Sequence, residues 1–561
     1  MRILPLIAVL CLCGMAEAKT TARITAASTA ATDQTPTAGL GKYLAARFAA
    51  GNHEFSEAAT LYRDSLAADP SNPQLLTFAF FFAAGAGKID DAAKYADRLV
   101  AATPDDRAAR LTLAVAAMRE RDYKKAREEI GKSAKGAFTS FTVALIDGWA
   151  AAGEGDKVGA IADFKLLHAQ HSADALAYFN EAMLAELFGD KVGAEESYLK
   201  ALEAAGPTPR VIDAYGRFLE RSGRGPDAKA LYEKTAQNEG YASVTAPGLA
   251  RIAKGEIPPP LAAHAEDGAA EALFGIAASL NDEASRDVSV LYLRLALHMQ
   301  PKLDLATILL ANRFEALGKY DDAIAVYRAI DKTSPFWRVA AVAEAVDIAR
   351  QDKVDDAIAR LKALTKDAPD DMEAWTALGD ADRQAKKFSE AVTAYDHALS
   401  LVTPPTKRNW PLYYARAVAE QEAGHWDKAE ADLKQALIVS PNEPAVLNYL
   451  GYSWVDKGLK TKEALVMLEK ARSLSPQDGY IIDSVGWAYY RLGRYDEAVS
   501  ALEDAVQIVP GDPTINDHLG DAYWKIGRKL DASFQWSHAL AFGAEAGDKA
   551  KIEKKLQTAE K

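Results

Sequence analysis

Cysteine is almost absent from this chain: two in 561 residues, Cys11 and Cys13. Both fall in the opening stretch MRILPLIAVLCLCGMAEA, where Arg2 precedes an apolar run from Ile3 to Met15 and Ala16-Glu17-Ala18 ends it. A charged start, a short apolar centre and a small-x-small ending form a signal-peptide pattern over 1–18. Cleavage before Lys19 would leave a mature chain with no thiol. Disulfides, cysteine metal sites and thiol catalysis are then excluded, in keeping with an oxidising exported compartment. Leu10 and Leu12 stand where a lipid-anchoring motif needs a small residue before its cysteine. The expectation is therefore a periplasmic or secreted protein rather than an outer-membrane lipoprotein. The leader's apolar run is too short for an ordinary transmembrane helix, and no later run is long enough, so no stable transmembrane segment is expected after cleavage. Positive charge is also in deficit. The 79 acidic side chains outnumber 66 Lys and Arg, for a net charge of −13. Such a surface repels nucleic acid and anionic lipid and suits neutral or basic protein partners.

Recognisable catalytic chemistry is missing too. His168 and His171 lie three apart on one helical face, but a metal site needs further ligands at matching geometry. GAGKID at 85–90 resembles a phosphate loop only in part: Phe82 stands at the required first glycine and Ile89 at the Ser/Thr. Gly153 and Gly155 sit in a turn with no strand before them, unlike a dinucleotide fingerprint. The carboxylate pairs Asp90-Asp91 and Asp321-Asp322 open helices, where they favour the positive end of the helix dipole. No catalytic residue, cofactor or metal is expected, and the chain reads as a non-enzyme.

What is abundant is repetition. YIIDSVGWAYYRLGRYDEAVSALEDAVQIVP, from 480, is followed 34 residues later by TINDHLGDAYWKIGRKLDASFQWSHAL, with Gly486, Tyr489, Ala498 and Ala505 matched by Gly520, Tyr523, Ala532 and Ala539. A 34-residue frame that places Gly486 at position 8 starts at 39, 73, 107, 141, 175 and 209, then at 270, 304, 338, 372, 410, 444, 479 and 513. Of these fourteen copies, twelve carry alanine at position 20, the exceptions being Ser289 and Glu463. Position 8 is Gly or Ala except at Phe80, position 24 is aromatic in seven copies, and position 32 is proline in seven. Positions 4, 7, 8 and 11 recur at helical spacing, as do 20, 24 and 27. Each copy thus predicts two helices whose small residues at 8 and 20 permit close approach. Proline at 32 ends the second helix. A lone helix pair cannot bury its apolar face, so the copies must stack.

These positions resemble those of the tetratricopeptide repeat (TPR) family over almost the whole length. The resemblance implies an all-α fold, a right-handed TPR α-solenoid of about fourteen copies. It also implies that first helices line the concave face, with positions 2, 5, 9, 12 and 13 pointing inward.

The frame divides the chain into a leader (1–18), a flexible lead-in (19–38), a six-repeat lobe (39–242), an irregular connector (243–269), an eight-repeat lobe (270–546) and a charged C-terminal cap (547–561). Pro258-Pro259-Pro260 cannot lie inside a helix, so 243–269 reads as a decayed repeat or a hinge. In the first lobe the inward positions hold Tyr43, Phe81, Leu111, Val115, Met118, Leu145, Trp149, Phe179 and Met183. They make either an apolar groove or side chains that the superhelix itself covers.

The last repeats differ. Their inward residues are Tyr414, Asn448, Tyr452, Tyr480, Asp483, Trp487, Tyr490, Arg491, Asp517, Asp521, Trp524 and Lys525, the candidate partner-binding groove. Aromatics give large contact area at low entropic cost, and the aspartates favour Lys or Arg on a partner. Positions 5 and 9 of the last eight copies hold no Lys or Arg. The family's clamp for C-terminal carboxylates is therefore not expected.

LNYLGYSWVDKG, SPQDGYIIDSVGWAYYRLGRYDEAV and DPTINDHLGDAYWKIGRKLDASFQW resemble long exported TPR proteins of proteobacteria. Some of these are outer-membrane lipoproteins that bring a C-terminal-processing protease to its cell-wall hydrolase substrates. The resemblance implies a periplasmic scaffold or adaptor that binds proteins or peptides of the cell envelope, in cell-wall remodelling or protease–substrate assembly. The alternative is a structural component of a secretion or pilus-assembly machine.

Overall fold

The computed structural model describes residues 36–136, 139–169, 173–206, 208–237 and 241–559. The leader and most of the lead-in fall outside the described residues. Residues 36–38, expected in the lead-in, already belong to the first helix, Pro36–Gly51. Among the described residues there are thirty α-helices and no strand.

The frame positions explain why the helices pair. All twelve alanines at position 20, from Ala58 to Ala532, have no solvent-exposed surface. A side chain larger than methyl there would separate the two helices of its copy. Position 8 answers position 24: a Cβ added to Gly379 would stand 2.5 Å from the Tyr395 ring, on Gly486 2.6 Å from Leu502, and on Gly520 2.5 Å from Trp536. The copy that breaks the rule moves the volume across, with Phe80 at position 8 and Ala96 at position 24, both buried.

Position 15, in the turn between the two helices, has positive φ in thirteen of the fourteen copies. Nine of these are glycines, Gly87 and Gly155 among them, and the others are His53, Arg121, Asp352 and Lys386. A left-handed residue lets the chain reverse in a short turn, and glycine adopts it at least cost. That turn accounts for Gly87 of the GAGKID stretch, while Gly85, still helical, lies against the Phe55 ring.

The chain forms two compact units that divide between Asp352 and Lys353. Within the first, the segment expected as an irregular connector begins with a helix, Ala242–Lys254, ended by Gly255 in the left-handed conformation. It stands where the frame would place one more first helix, and no second helix follows. Its Arg251 Nη2 donates to Glu220 Oε1 at 2.9 Å, and Gly248 lies against the Tyr232 ring. Pro258-Pro259-Pro260 are non-helical, as their chemistry requires.

The next two helices, Ala265–Ser279 and Arg286–Met299, return to the inward face of the first six copies. Gly268 packs against the indole of Trp149, whose Nε1 donates to Asn180 Oδ1 at 2.8 Å. Thr142 and Tyr292 share a hydrogen bond of 3.0 Å, and Tyr123 Oη donates to Glu266 Oε1 at 3.1 Å. Arg210 pairs with the buried Glu271, and Arg294 Nε donates to the Gly85 carbonyl at 3.0 Å. Leu111, Val115, Met118, Leu145, Trp149, Phe179 and Met183 are all buried. The apolar row is therefore a core filled by the chain's own later repeats. An apolar surface of that width exposed to water would cost more than ordering two helices over it.

Candidate protein-docking groove

The second unit arranges its inward residues differently. Three first helices, Pro444–Asp456, Gly479–Arg491 and Pro513–Lys525, stand side by side. Asp478 and Asp512 cap the latter two, each accepting from two backbone N–H groups of the first turn. These caps fix where each helix starts and therefore which side chains face inward.

On the middle helix, Asp483, Trp487 and Tyr490 follow at intervals of four and three, so they share one face. Trp487 stacks on Tyr490 with ring centroids 4.8 Å apart and planes 8° from parallel. It also stacks on His518, from the next first helix, at 4.1 Å and 13°. His518 Nδ1 lies 2.9 Å from Asp483 Oδ1, and both side chains are buried. Burial by itself would depress the imidazole pKa, but the carboxylate of Asp483, with Asp517 and Asp521 nearby, outweighs it and holds the ring above its ordinary range. The carboxylates thus favour the protonated form of this histidine beneath the aromatic face.

Asp517 and Asp521 lie one helical turn apart on the third helix. Lys555 Nζ, from the C-terminal helix Ala546–Ala559, stands 2.8 Å from Asp517 Oδ1 and 2.7 Å from Asp521 Oδ1. Burial raises the Asp517 pKa against the opposing pull of Lys555. Burial and then Asp521 push Tyr490 up to about 12. Tyr452 is raised by burial and by Asp483, Asp456 and Asp548 in turn. Burial first, and the carboxylates second, thus hold both phenols above their ordinary range.

Of the residues expected in the groove, six converge: Tyr452, Asp483, Trp487, Tyr490, Asp517 and Asp521. Arg491 lies at their edge, its Nη1 donating to the Asp456 carbonyl at 3.3 Å. Asn448 is half-buried nearby, on the helix that carries Tyr452. Tyr414 is further along and meets Tyr449 edge-on at 5.4 Å. Tyr480 is exposed at the start of its helix. Trp524 turns toward its own second helix, with Trp536 at 5.6 Å, and Lys525 Nζ lies 5.8 Å from the centre of the Tyr495 ring. Trp524 thus packs within its copy, and Lys525 reaches the second helix of the preceding copy.

Two contributors were not anticipated. His518 is 35 residues after Asp483, one frame step plus one, which places it on the neighbouring first helix. Lys555 is 34 residues after Asp521 and so falls at the same frame position one step further on. Carrying the frame beyond 546 would have found it.

At the inward positions of these helices two buried polar atoms have no hydrogen-bond partner among the described residues: Trp487 Nε1 and Asn448 Oδ1. One is a donor and the other an acceptor, the pair that a peptide backbone would complement. No cluster of His, Cys, Asp and Glu suited to a metal ion occurs among the described residues. No described helix is long and apolar enough to cross a membrane.

Two repeat-family models match parts of the chain. The family described as tetratricopeptide repeat matches residues 83–140, 342–404 and 414–478, and a further TPR repeat family matches 486–527. A TPR repeat-containing protein of Pseudomonas aeruginosa is 30% identical over 155 residues, which are 26% of this chain and 24% of that protein. The match thus spans about a quarter of that relative's length. Among solved structures, the APC/C hetero-tetramer Cut9–Hcn1 aligns over 93% of this chain and 96% of its own, at 15% identity and a TM-score of 0.40. A tetratricopeptide repeat protein of Parabacteroides merdae aligns over 46% of this chain and 98% of its own, at 14% identity and a TM-score of 0.36.

Proposed function

We propose that this tetratricopeptide repeat protein, a scaffold for protein–protein interaction, is an exported adaptor that binds envelope proteins through the acidic aromatic groove of its second unit. The observation that carries this reading is the convergence of Asp483, Trp487, Tyr490, Asp517 and Asp521 on adjacent first helices, beside two unpartnered polar atoms. Stacked aromatics supply contact area already fixed in place, so little side-chain entropy is lost on binding. The carboxylates select a partner segment that bears Lys or Arg and raise its rate of encounter.

The exported setting rests on the leader at 1–18 and on a mature chain without cysteine. Cell-wall remodelling or protease–substrate assembly is the setting that the sequence resemblance suggests. In the first unit the inward face is occupied by the unit's own helices, which leaves the second unit as the place for an extended ligand.

The test is an envelope pull-down with the mature chain beside Asp517→Asn/Asp521→Asn and Trp487→Ala variants, with helical content checked by circular dichroism. A protease or cell-wall hydrolase recovered by the wild type and lost from both variants is the expected result. Equal recovery by all three would remove the groove from the reading. Stable recovery of secretion or pilus subunits would replace the adaptor by a structural component of such a machine.

A further inference from the structure

The C-terminal helix Ala546–Ala559 is held in a way no other helix of the second unit is. It stands one frame step after the copy that starts at 513, where a fifteenth first helix would begin, but no described second helix follows to cover its outer side. It buries one residue, Ile552, whereas the preceding first helix, Pro513–Lys525, buries seven. Its other anchor is Lys555, which bridges Asp517 and Asp521.

Ile552, Lys555 and Leu556 lie at i, i+3 and i+4, a single stripe on one face. Leu556 is half-buried against the apolar cluster that contains Ile552. The remaining lysines, Lys549, Lys551 and Lys554, are exposed. Across its described length the helix carries four lysines against Asp548 and Glu553, so it is a basic segment on a chain of net charge −13. Its first turn also approaches the rest of the groove. Asp548 acts on Tyr452 of the helix Pro444–Asp456, and Lys551 feels Asp517 and Asp456.

We infer that this helix is a displaceable stopper of the groove, and that the partner which displaces it presents the same signature: a basic amphipathic helix with an apolar residue three positions before a lysine. The inference rests on the groove reading above and names the chemistry of its ligand. One buried aliphatic side chain, the half-buried Leu556 and one part-buried lysine paired with two carboxylates and set over the Trp536 ring are a small anchorage, so the helix belongs to the part of the fold that opens most readily. Being tethered, it competes with a free ligand at an effective concentration in about the millimolar range. Opening exposes Asp517 and Asp521 together, and a partner lysine takes the place of Lys555 Nζ between them.

The test uses the full mature chain, the variant Ile552→Ser/Lys555→Ser, and a fluorescent peptide of the sequence AGDKAKIEKKLQTA, which is residues 546–559. The variant should bind the peptide at least tenfold more tightly than the wild type, and binding should weaken with salt. Adding Asp517→Asn/Asp521→Asn to the variant should abolish it. Hydrogen exchange should show residues 546–559 of the wild type at least tenfold less protected than 513–525. Equal peptide binding by wild type and variant overturns the inference, as does no binding by either up to millimolar peptide, or protection of 546–559 equal to that of 513–525. If the envelope partner is still lost with Asp517→Asn/Asp521→Asn under any of these results, the groove reading survives and the stopper does not.

Discussion

At the scale of single residues, the fold is written by size and by backbone conformation. Thirteen turns need a left-handed residue at position 15, and Lys386 is one of four non-glycines that adopt it. Lys386 is exposed, so replacing it loses no packing. Lys386→Gly should therefore stabilise the second unit by about 0.5–1 kcal/mol, measurable as a rise in the urea midpoint at unchanged slope. His518 allows a second test. Its pKa should lie above the ordinary 6.5, and Asp483→Asn should lower it, because burial is then opposed by Asp517 and Asp521 without the directly paired carboxylate. The NMR titration of the ring in both chains reads this directly. In the wild type the stabilisation from the ion pair is full below about pH 6.5 and is lost as pH rises through the raised folded value.

At the scale of helices and helix pairs, nearly all of the second unit was legible in the sequence, because one frame governs every copy and small residues mark where two backbones meet. The groove was legible in part. Asp483, Trp487 and Tyr490 could be placed on one face from their spacing. Trp524 was expected in the groove from spacing alone, but it turns toward Trp536 of its own second helix, a partner that the spacing of the first helix does not show. The connector at 243–269 breaks the frame, yet it holds the helix Ala242–Lys254, with Pro247 inside it and the three prolines after its end, so half of a repeat is kept there. Charge adds what periodicity cannot show. Asp347, on the helix Trp337–Arg350, is wholly buried, and burial together with Glu315 raises its pKa to about 7 despite the nearby Arg350. A carboxyl that binds its proton more tightly folded than unfolded makes stability fall as pH rises from about 4 to about 7. Asp347→Asn should flatten that fall, so its stability relative to wild type should be higher at pH 8 than at pH 4. Denaturant titrations at the two values would show a constant difference if Asp347 played no part.

At the scale of the whole molecule, a uniform repeat has been used in two ways. In the second unit each copy leans on its neighbours, and the inward carboxylates Asp517 and Asp521 are met by Lys555 of the last described helix. In the first unit, helices Ala265–Ser279 and Arg286–Met299 pack on helices more than a hundred residues earlier, so contacts distant in sequence tie the array into one cooperative body. No periodicity in the sequence announces this, since the frame is the same in both units. What the sequence does contain is the apolar inward row itself, which needs a cover. Gly268 is the tightest point of that cover, and any Cβ there meets the indole of Trp149. Gly268→Leu should force the two apart and cost about 1–3 kcal/mol. Hydrogen exchange should then rise in 139–153 as well as in 265–279. A rise confined to 265–279 would mean that the two segments are not coupled.

The first unit also closes where it began. Lys319 reaches Glu54 at 3.3 Å, Phe314 meets Phe55 with ring centroids 6.0 Å apart, and Asp287 holds His53 at 3.1 Å. Mechanically this is a clasp. A pull applied to the two ends of that unit is borne first by the contacts around 53–55, and the chain between them and 319 carries no load until the clasp yields. A solenoid without such a closure peels from its end one repeat at a time, like a spring uncoiling. This one should hold to a single high force and then release a long segment at once.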